Sequence, residues 1–274
     1  MTFFAGGVTG EVSDTFLSIK FELRKHLRRK RLLIVATLAI LMPPVFYIIP
    51  RIADVDFGTS ASLFAANTLG FLNVLIIISA ALFAGDAICG EFEKKTGLLL
   101  FPTMQSRTSI FIGKYIAALL ATFLVVSLYC AVTTLEIMGI YGVGEIPAEL
   151  AKSYLLALLF TTSAVSVVYF LSSILKRAIS ATILSFVLLM MVMHLIQNIL
   201  GFVNVEPWFI VTYSAELITQ GLGEVTFGPG SHDDDEFNLA RFSPDLYVGI
   251  GVMIAYTLIL FLSSIVIANR RGME

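Results

Sequence analysis

Residues 85–114, GDAICGEFEKKTGLLLFPTMQSRTSIFIGK, decide how this chain is organised. The stretch follows one long apolar run and precedes another, yet it carries seven charged residues: Asp86, Glu91, Glu93, Lys94, Lys95, Arg107 and Lys114. Unpaired charges and free backbone groups are costly in hydrocarbon, so this segment cannot lie in a bilayer core. It is also too long and too patterned for a simple turn. The pattern predicts an ordered, charged loop on one face of a membrane protein, placed to bind a partner.

The overall composition agrees with a membrane protein. Of 274 residues, 57% are hydrophobic and 14% are charged, and the mean hydropathy is +0.90. Soluble domains are close to half apolar and about a quarter charged, so a soluble globule is excluded. The two cysteines, Cys89 and Cys130, are too few for a disulfide framework, and each lies in or beside an apolar run. Small buried side chains are the interpretation that this placement favours.

Six apolar segments are long enough to cross a membrane. A spanning helix needs roughly 20 apolar residues for about 30 Å of hydrocarbon. The qualifying segments are residues 32–50, 62–84, 113–135, 153–175, 178–200 and 246–268. The predicted fold class is therefore an all-α integral membrane protein, with a six-span transmembrane domain over residues 32–274.

The distribution of lysine and arginine predicts the orientation. If the N-terminus is cytoplasmic, 15 of the 18 basic residues fall on the cytoplasmic side. Because cytoplasmic loops carry an excess of Lys and Arg, both termini and the loop 85–112 are predicted to be cytoplasmic. The large segment 201–245 is then extracellular, and the chain is a multi-pass protein of the plasma membrane.

The segment 1–31 contains a helix of a different kind. Phe16, Ile19, Leu23 and Leu27 recur at spacings of three and four residues, which places them on one helical face. The rest of the helix is basic, with Lys20, Arg24, Lys25, Arg28 and Arg29. This pattern predicts an interfacial amphipathic helix whose basic side faces anionic headgroups. The alternative is a basic segment that only determines topology.

Within the loop 85–112, the residues favour a short helix that docks on a partner. Glu91 and Lys95 have the spacing and order of a stabilising helical pair. Phe92 and residues 98–101 offer apolar surface, while Gly97 and Pro102 bound the segment. Exposed Phe and Leu on such a helix are expected to fit a groove of another protein.

The order GEFEKKTG, then LLLFP, then Arg107 and Lys114 before the third span, resembles type-2 ABC transporter permeases. Their six spans, N-terminal connecting helix, cytosolic termini and large outer segment between spans 5 and 6 match this chain. The resemblance implies that residues 87–101 form a coupling helix docked on an ATPase. The docking residues it implies are Glu91, Phe92, Glu93, Thr96, Gly97, Pro102, Arg107 and Lys114.

The same resemblance implies the partners and cofactors. The chain has no GxxxxGK[ST] phosphate loop, so ATP hydrolysis is assigned to separate nucleotide-binding subunits that carry the ATP and magnesium. The family works as two permeases with two ATPases in a lipid bilayer. The chain itself is therefore expected to be non-catalytic and to bind no cofactor, metal or nucleic acid. Homodimer and heterodimer, and export and import, stay open, with export favoured; the substrate is not determined.

Polar residues within the spans are candidates for a substrate pathway. In span 5, His194, Gln197 and Asn198 share a helical face near Met190, and in span 2 the candidates are Asn67 and Asn73. In similar permeases these two helices line the central cleft. The alternative is that the polar groups only bond helices together.

Three other functions fit the residues less well than a permease does. A channel or secondary carrier would more typically place charged residues within the spans, and here the six cores hold essentially none. An intramembrane enzyme lacks support because there is no HExxH motif and no paired intramembrane aspartates. A membrane anchor or assembly factor would leave the six-span arrangement unexplained.

Overall fold

A computed structural model of the protein describes residues 8–28, 30–52, 60–93, 106–222 and 242–270. Within these ranges the chain is helical, with turns and no strand. The predicted all-α class is confirmed, and six of the helices are long and apolar enough to cross a membrane, the number of spans that the sequence predicts. Chain order gives α1 (Val8–Arg28), α2 (Arg31–Ile52), α3 (Ala61–Ala84), α4 (Cys89–Glu93), α5 (Arg107–Ile140), α6 (Glu149–Ile174), α7 (Ala178–Phe202), α8 (Val211–Ser214), α9 (Leu217–Gln220) and α10 (Leu246–Arg270).

The six predicted spans correspond to α2, α3, α5, α6, α7 and α10. The largest difference is in α5, which was predicted over residues 113–135 and has 34 residues. At 1.5 Å per residue this helix is about 51 Å long, well beyond the roughly 30 Å of a hydrocarbon core. Its ends therefore project past the hydrocarbon, and the charges that limited the predicted span do not stop the helix. Ser106 begins α5 by accepting a hydrogen bond from Ser109 N at 3.1 Å.

The core of the bundle is built on α3 and α6, which are mostly buried, whereas α2, α7 and α10 expose most of their apolar surface. Buried tyrosines connect the inner helices. Tyr129 of α5 donates a hydrogen bond to the Thr68 carbonyl of α3 at 2.6 Å, and Tyr169 of α6 donates to the Phe111 carbonyl of α5 at 2.7 Å. An exposed apolar surface of this extent is expected where helices contact lipid rather than water.

The order of the helices gives the bundle two ends. Helices α3 and α6 finish at one end of the bundle, and α5 and α7 begin at that same end. We call it the junction end, and we call the opposite end the far end. At the far end, the segment after α7 folds back as α8 and α9, in which Val211, Tyr213 and Leu217 are buried. Within α7, residues Leu188–Val192 form one π-helical turn.

Helix α1 lies across the junction end and presents a polar side to the bundle. Glu22 and His26 are buried there, and the Cβ that Gly113 of α5 lacks would lie 2.6 Å from the Ser18 Cβ. In the row predicted to form one apolar face, Phe16 and Leu27 are exposed, whereas Ile19 and Leu23 are half-buried. The exposed side combines Phe16, Leu17, Phe21 and Leu27 with Lys20, Arg24 and Arg28.

Helix α3 ends before Gly85, which begins the turn that leads into α4. A Cβ at this position would lie 2.6 Å from Thr182 Oγ1 of α7, so only glycine permits the observed approach of the two helices. After four turn residues, α4 occupies Cys89–Glu93, inside the segment 87–101 that was predicted to be helical. The remainder of that prediction, from residue 94 onward, lies outside the described residues.

Candidate functional site

Helix α4 is held at its start by a side chain from α6. The backbone N–H groups of Ile88 and Cys89 both donate to Ser172 Oγ, at 3.1 and 3.2 Å. The first N–H groups of a helix have no partner within the helix, so Ser172 performs the role of a capping residue from another part of the chain. The Cys89 thiol donates to the Gly85 carbonyl at 3.2 Å. This short helix is thereby fixed to α6.

The middle of α4 is bonded to α5 and, through it, to α1. Glu91 Oε1 lies 2.8 Å from the Lys114 ammonium of α5, and the same ammonium is hydrogen-bonded to Glu22 Oε1 of α1. Lys25 of α1 lies 2.9 Å from Glu22 Oε2 and 3.8 Å from Glu91 Oε1. We call Glu22, Lys25, Glu91 and Lys114 the ion cluster. It joins three helices with two positive and two negative charges.

The ion cluster is largely shielded from solvent. The side chain of Lys114 is 3% exposed, and those of Glu22 and Glu91 are 11% and 12% exposed. Desolvating such charges is costly, and this cost is offset only while each charge keeps its partner. Removing one partner from a buried pair typically costs about 3–5 kcal/mol. The cluster therefore favours one specific arrangement of α1, α4 and α5.

The buried environment shifts the pKa values of two titratable groups on α1, Glu22 and His26. Burial by itself would raise the pKa of Glu22, but Lys114 and Lys25 outweigh that effect and lower the pKa from 4.5 to about 2. The pKa of His26 is lowered from 6.5 to about 4, chiefly because burial penalises the charged imidazole. The His26 ring contacts the Phe83 ring edge-on, with 5.2 Å between centroids. Glu22 is therefore ionised and His26 is neutral near pH 7.

A second ion pair fixes the end of α3. The guanidinium of Arg31, the first residue of α2, lies 3.0 Å from Asp86 Oδ2, and the same nitrogen donates to the Leu82 carbonyl at 3.0 Å. The last carbonyls of a helix lack internal partners and attract cations, so Arg31 acts as a C-terminal cap for α3. This contact connects α2 to the turn, residues 85–88, that leads into α4.

The end of α4 is in turn bonded to α7. The exposed Glu93 accepts a hydrogen bond from Ala178 N through Oε2 at 2.7 Å. Ala178 is the first residue of α7, so the Glu93 carboxylate caps that helix. Over its five residues, α4 thus contacts α1, α5, α6 and α7 through specific polar groups. A displacement of α4 would act on all four helices at once.

The structure brings together part of the predicted docking set. Glu91 and Lys114 meet in the ion cluster, and Glu93 caps α7. Phe92 is half-buried against the hydrophobic core, so only part of its ring is open to a partner. Arg107 begins α5 on an exposed side. Thr96, Gly97 and Pro102 lie outside the described residues.

Several residues of this site were not singled out from the sequence. Glu22 is separated from Lys114 by 92 positions, and Ser172 from Cys89 by 83 positions. The available signal was a single acidic residue, Glu22, within the basic row of α1. An acid at that place calls for a positive partner, but nothing in the sequence says which lysine supplies it.

The candidate pathway residues lie apart from the ion cluster, on α3 and α7. Asn73 donates to the Ala215 carbonyl at 3.5 Å, and the Gln197 amide donates to the neighbouring Glu216 carboxylate. The α8–α9 segment therefore bridges the two helices that carry these residues. This agrees with the alternative interpretation, in which the polar groups bond helices together.

The other pathway candidates differ in exposure. His194 and Asn198 are exposed and Met190 is half-buried. His194 Nδ1 lies 3.2 Å from the Leu189 carbonyl within the π-helical turn, so that nitrogen donates the bond. Asn67 is buried, and neither of its amide atoms has a hydrogen-bond partner among the described residues. Those residues also contain no group of three His, Cys, Asp or Glu side chains that could hold a metal ion.

The chain matches a known family over most of its length. Residues 31–272 match the family described as "Protein of unknown function (DUF2705)". The chain belongs to this family. The match begins at Arg31, so it includes Glu91, Lys114 and all six long apolar helices, and it leaves α1 outside. No curated protein matches the chain.

Proposed function

We propose that this chain is the transmembrane permease subunit of an ATP-binding cassette transporter, with α4 as part of the element that receives force from a separate ATPase. The observation that carries the proposal is the bonding of Glu91 to Lys114, which is itself bonded to Glu22. A docking helix must be coupled to the spanning helices if a partner is to move them. Here a five-residue helix at the end of the bundle has that connection.

The surrounding contacts support the same role. The α4 backbone is capped from α6, and Glu93 caps α7, which carries four of the six pathway candidates. In this proposal the junction end faces the cytoplasm, as the Lys and Arg distribution favours, and the protein lies in the plasma membrane. Two such chains, or one and a relative, would assemble with two ATPase subunits.

The mechanism follows from these connections. Closure of the ATPase pair on ATP and magnesium would push α4 towards the membrane. Because the ion cluster resists separation of α1, α4 and α5, these helices would move as a unit, while α7 would follow through its Glu93 cap. The central cleft that the resemblance to type-2 permeases implies would then change from inward-facing to outward-facing, which gives export by alternating access.

The first experiment is a pull-down of the tagged chain from native membranes in mild detergent. We expect a polypeptide with a phosphate-loop motif to co-purify in equal amount, and the complex to hydrolyse ATP. Purification of the intact, correctly inserted chain alone would contradict the proposal. It would leave a carrier, channel or membrane anchor as the better description.

The second experiment tests whether α4 transmits the signal. Glu91→Gln keeps the size of the side chain and removes its charge, so we expect the ATPase activity of the complex to lose its dependence on the permease. Glu145→Gln, at an exposed position of the far end, is the matched control and should retain that dependence. Equal coupling in both variants, at equal membrane levels, would show that Glu91 has no part in transmission.

A further inference from the structure

A groove lies on the side of the bundle between α5 and α6, away from the ion cluster. Its volume is about 510 Å³. It is lined by α5 residues Ser127, Cys130, Ala131 and Thr134, by residues 146–148 of the connection, and by α6 residues Leu150, Ala151 and Tyr154. The volume falls within the range of roughly 300–1,000 Å³ that is common for small-molecule sites.

Small side chains create this groove. The α5 residues that line it are spaced by three and four positions, so they share one helical face, and none is larger than threonine. Opposite them, Ala151 adds only a methyl group. A polar pair lies in the lining, where Ser127 Oγ and the Tyr154 hydroxyl are 2.8 Å apart.

The groove opens to the surroundings of the bundle rather than to its interior. Ala131 and Ala151 are exposed and the other lining side chains on the two helices are half-buried. The adjoining surface is apolar, with Leu124 52% exposed and Leu155 65% exposed. Since both helices are long and apolar enough to span a membrane, this surface contacts hydrocarbon and the groove is continuous with it.

The position of the groove along the helices points to an amphiphile. Residues 146–148, at one end of it, belong to the connection between two spans, which lies outside the hydrocarbon because α5 extends beyond it. Ser127, at the other end, lies 13 residues before the last residue of α5, about 20 Å along the helix axis. The groove thus runs from the membrane border into the apolar layer.

We propose that the groove binds one acyl chain of a membrane phospholipid. The methylene groups lie along Ala131, Ala151 and Leu150, and the ester end lies near the connection at residues 146–148. An unfilled groove of this size would forfeit dispersion contacts along its lining, which a single flexible chain restores. The site is separate from α4 and does not depend on the transport proposal.

The test uses the full chain in nanodiscs of phosphatidylcholine containing a trace of an analogue with a diazirine on its acyl chain. After illumination, peptides are mapped by mass spectrometry. We expect adducts enriched on residues 127–134 and 146–154 relative to the exposed face of α10 at Leu258 and Ile259. Equal labelling of the groove and α10 would overturn the proposal.

Two variants make the test specific. Ala151→Phe fills the groove and should reduce its labelling to the level of α10, whereas Leu155→Phe, on the outward side of α6, should leave the enrichment unchanged. Ala131→Phe replaces Ala151→Phe if the latter does not purify as a folded protein. Undiminished labelling of a folded filled variant would overturn the site.

A control tests whether a second copy of the chain, instead of lipid, covers the groove. Cys89 is buried, whereas Cys130 in the groove is half-buried. If oxidation in nanodiscs linked two chains through Cys130, the groove would be covered by a partner copy rather than by lipid, and the proposal would fail. We expect no such dimer.

Discussion

The ion cluster and the α8–α9 region differ in whether their buried polar groups have partners. In the ion cluster, Glu22 and Lys114 are nearly excluded from solvent and each has a charged partner. In the α8–α9 region, Thr212 and Ser214 are buried, yet their hydroxyl oxygens have no hydrogen-bond partner among the described residues. A satisfied network stabilises one arrangement, whereas unpaired buried groups cost free energy until water, a ligand or another chain pairs with them. The first region is therefore held in one arrangement, whereas the second keeps buried hydroxyls that a further partner would satisfy.

The strongest challenge to this comparison is Lys114→Met. It would remove the buried cation that lies between Glu22 and Glu91, so we expect a loss of about 3–5 kcal/mol in the free energy of unfolding. The measurement is the unfolding midpoint of the purified chain in mild detergent. Lys152→Met, at an exposed position near the far end, is the control and should change stability little. If both variants unfolded at the same midpoint, the cluster would not hold the helices together.

The second prediction concerns His26, at the junction end of the bundle, and the change of the free energy of unfolding with pH. Because the pKa of His26 is lowered from 6.5 to about 4, the unfolded chain binds more protons between these values. Stability should therefore fall as the pH decreases from about 6.5 towards 4, on the order of 2 kcal/mol by pH 5. His26 faces Glu22, Asp86, Lys25 and Arg31, so its charged form is only partly compensated.

His26→Phe should remove this part of the pH dependence while it keeps the ring contact with Phe83. The quantity to compare is the shift in unfolding midpoint between pH 7 and pH 5 in the variant and in the unaltered chain. The exposed His194→Gln should preserve the shift. An identical shift in all three proteins would mean that His26 is accessible to protons in the folded state.

The smallest expected effect tests the far end, at Asn67 of α3. Since neither amide atom of Asn67 has a partner among the described residues, Asn67→Leu should be neutral or stabilising, by about 1 kcal/mol or less. Thr133→Val removes a buried hydroxyl that donates to the Tyr129 carbonyl at 3.1 Å, and should cost about 1 kcal/mol. The measurement is the unfolding midpoint of each purified variant in mild detergent, compared with that of the unaltered chain. A larger cost for Asn67→Leu would show that water or a second chain bonds to that amide.

The spanning helices were largely predictable because each depends on a local property. The length of an apolar run decides whether it can cross the hydrocarbon, and this length does not depend on distant parts of the chain. The predicted start of the fifth span at residue 178 agrees with α7 because Lys176 and Arg177 interrupt the apolar run. Helix α5 contains the predicted span 113–135 and continues beyond it at both ends, and near its start Lys114 pairs with Glu22 and Glu91 instead of ending the helix.

The candidate site was only half predictable. Glu91 and Lys114 were selected, but their contact was not, and Glu22 was overlooked within a basic row that has the pattern of a topology signal. Helical periodicity places Glu22 on a face of α1 without saying what that face meets. Ser172 resembles any other serine of an apolar helix until α4 is placed against it.

By itself the sequence determined that the chain is helical, that it has six membrane-length segments, and that a charged element interrupts them after the second. These follow from the cost of exposing polar backbone and charge to hydrocarbon, which acts on each segment separately. Only the tertiary structure decided that α1 turns Glu22 inward, that α4 is bonded to four helices, and that a groove opens between parts of α5 and α6. Such features arise from pairings between residues far apart in the chain, and their free energies exist only once the helices have packed.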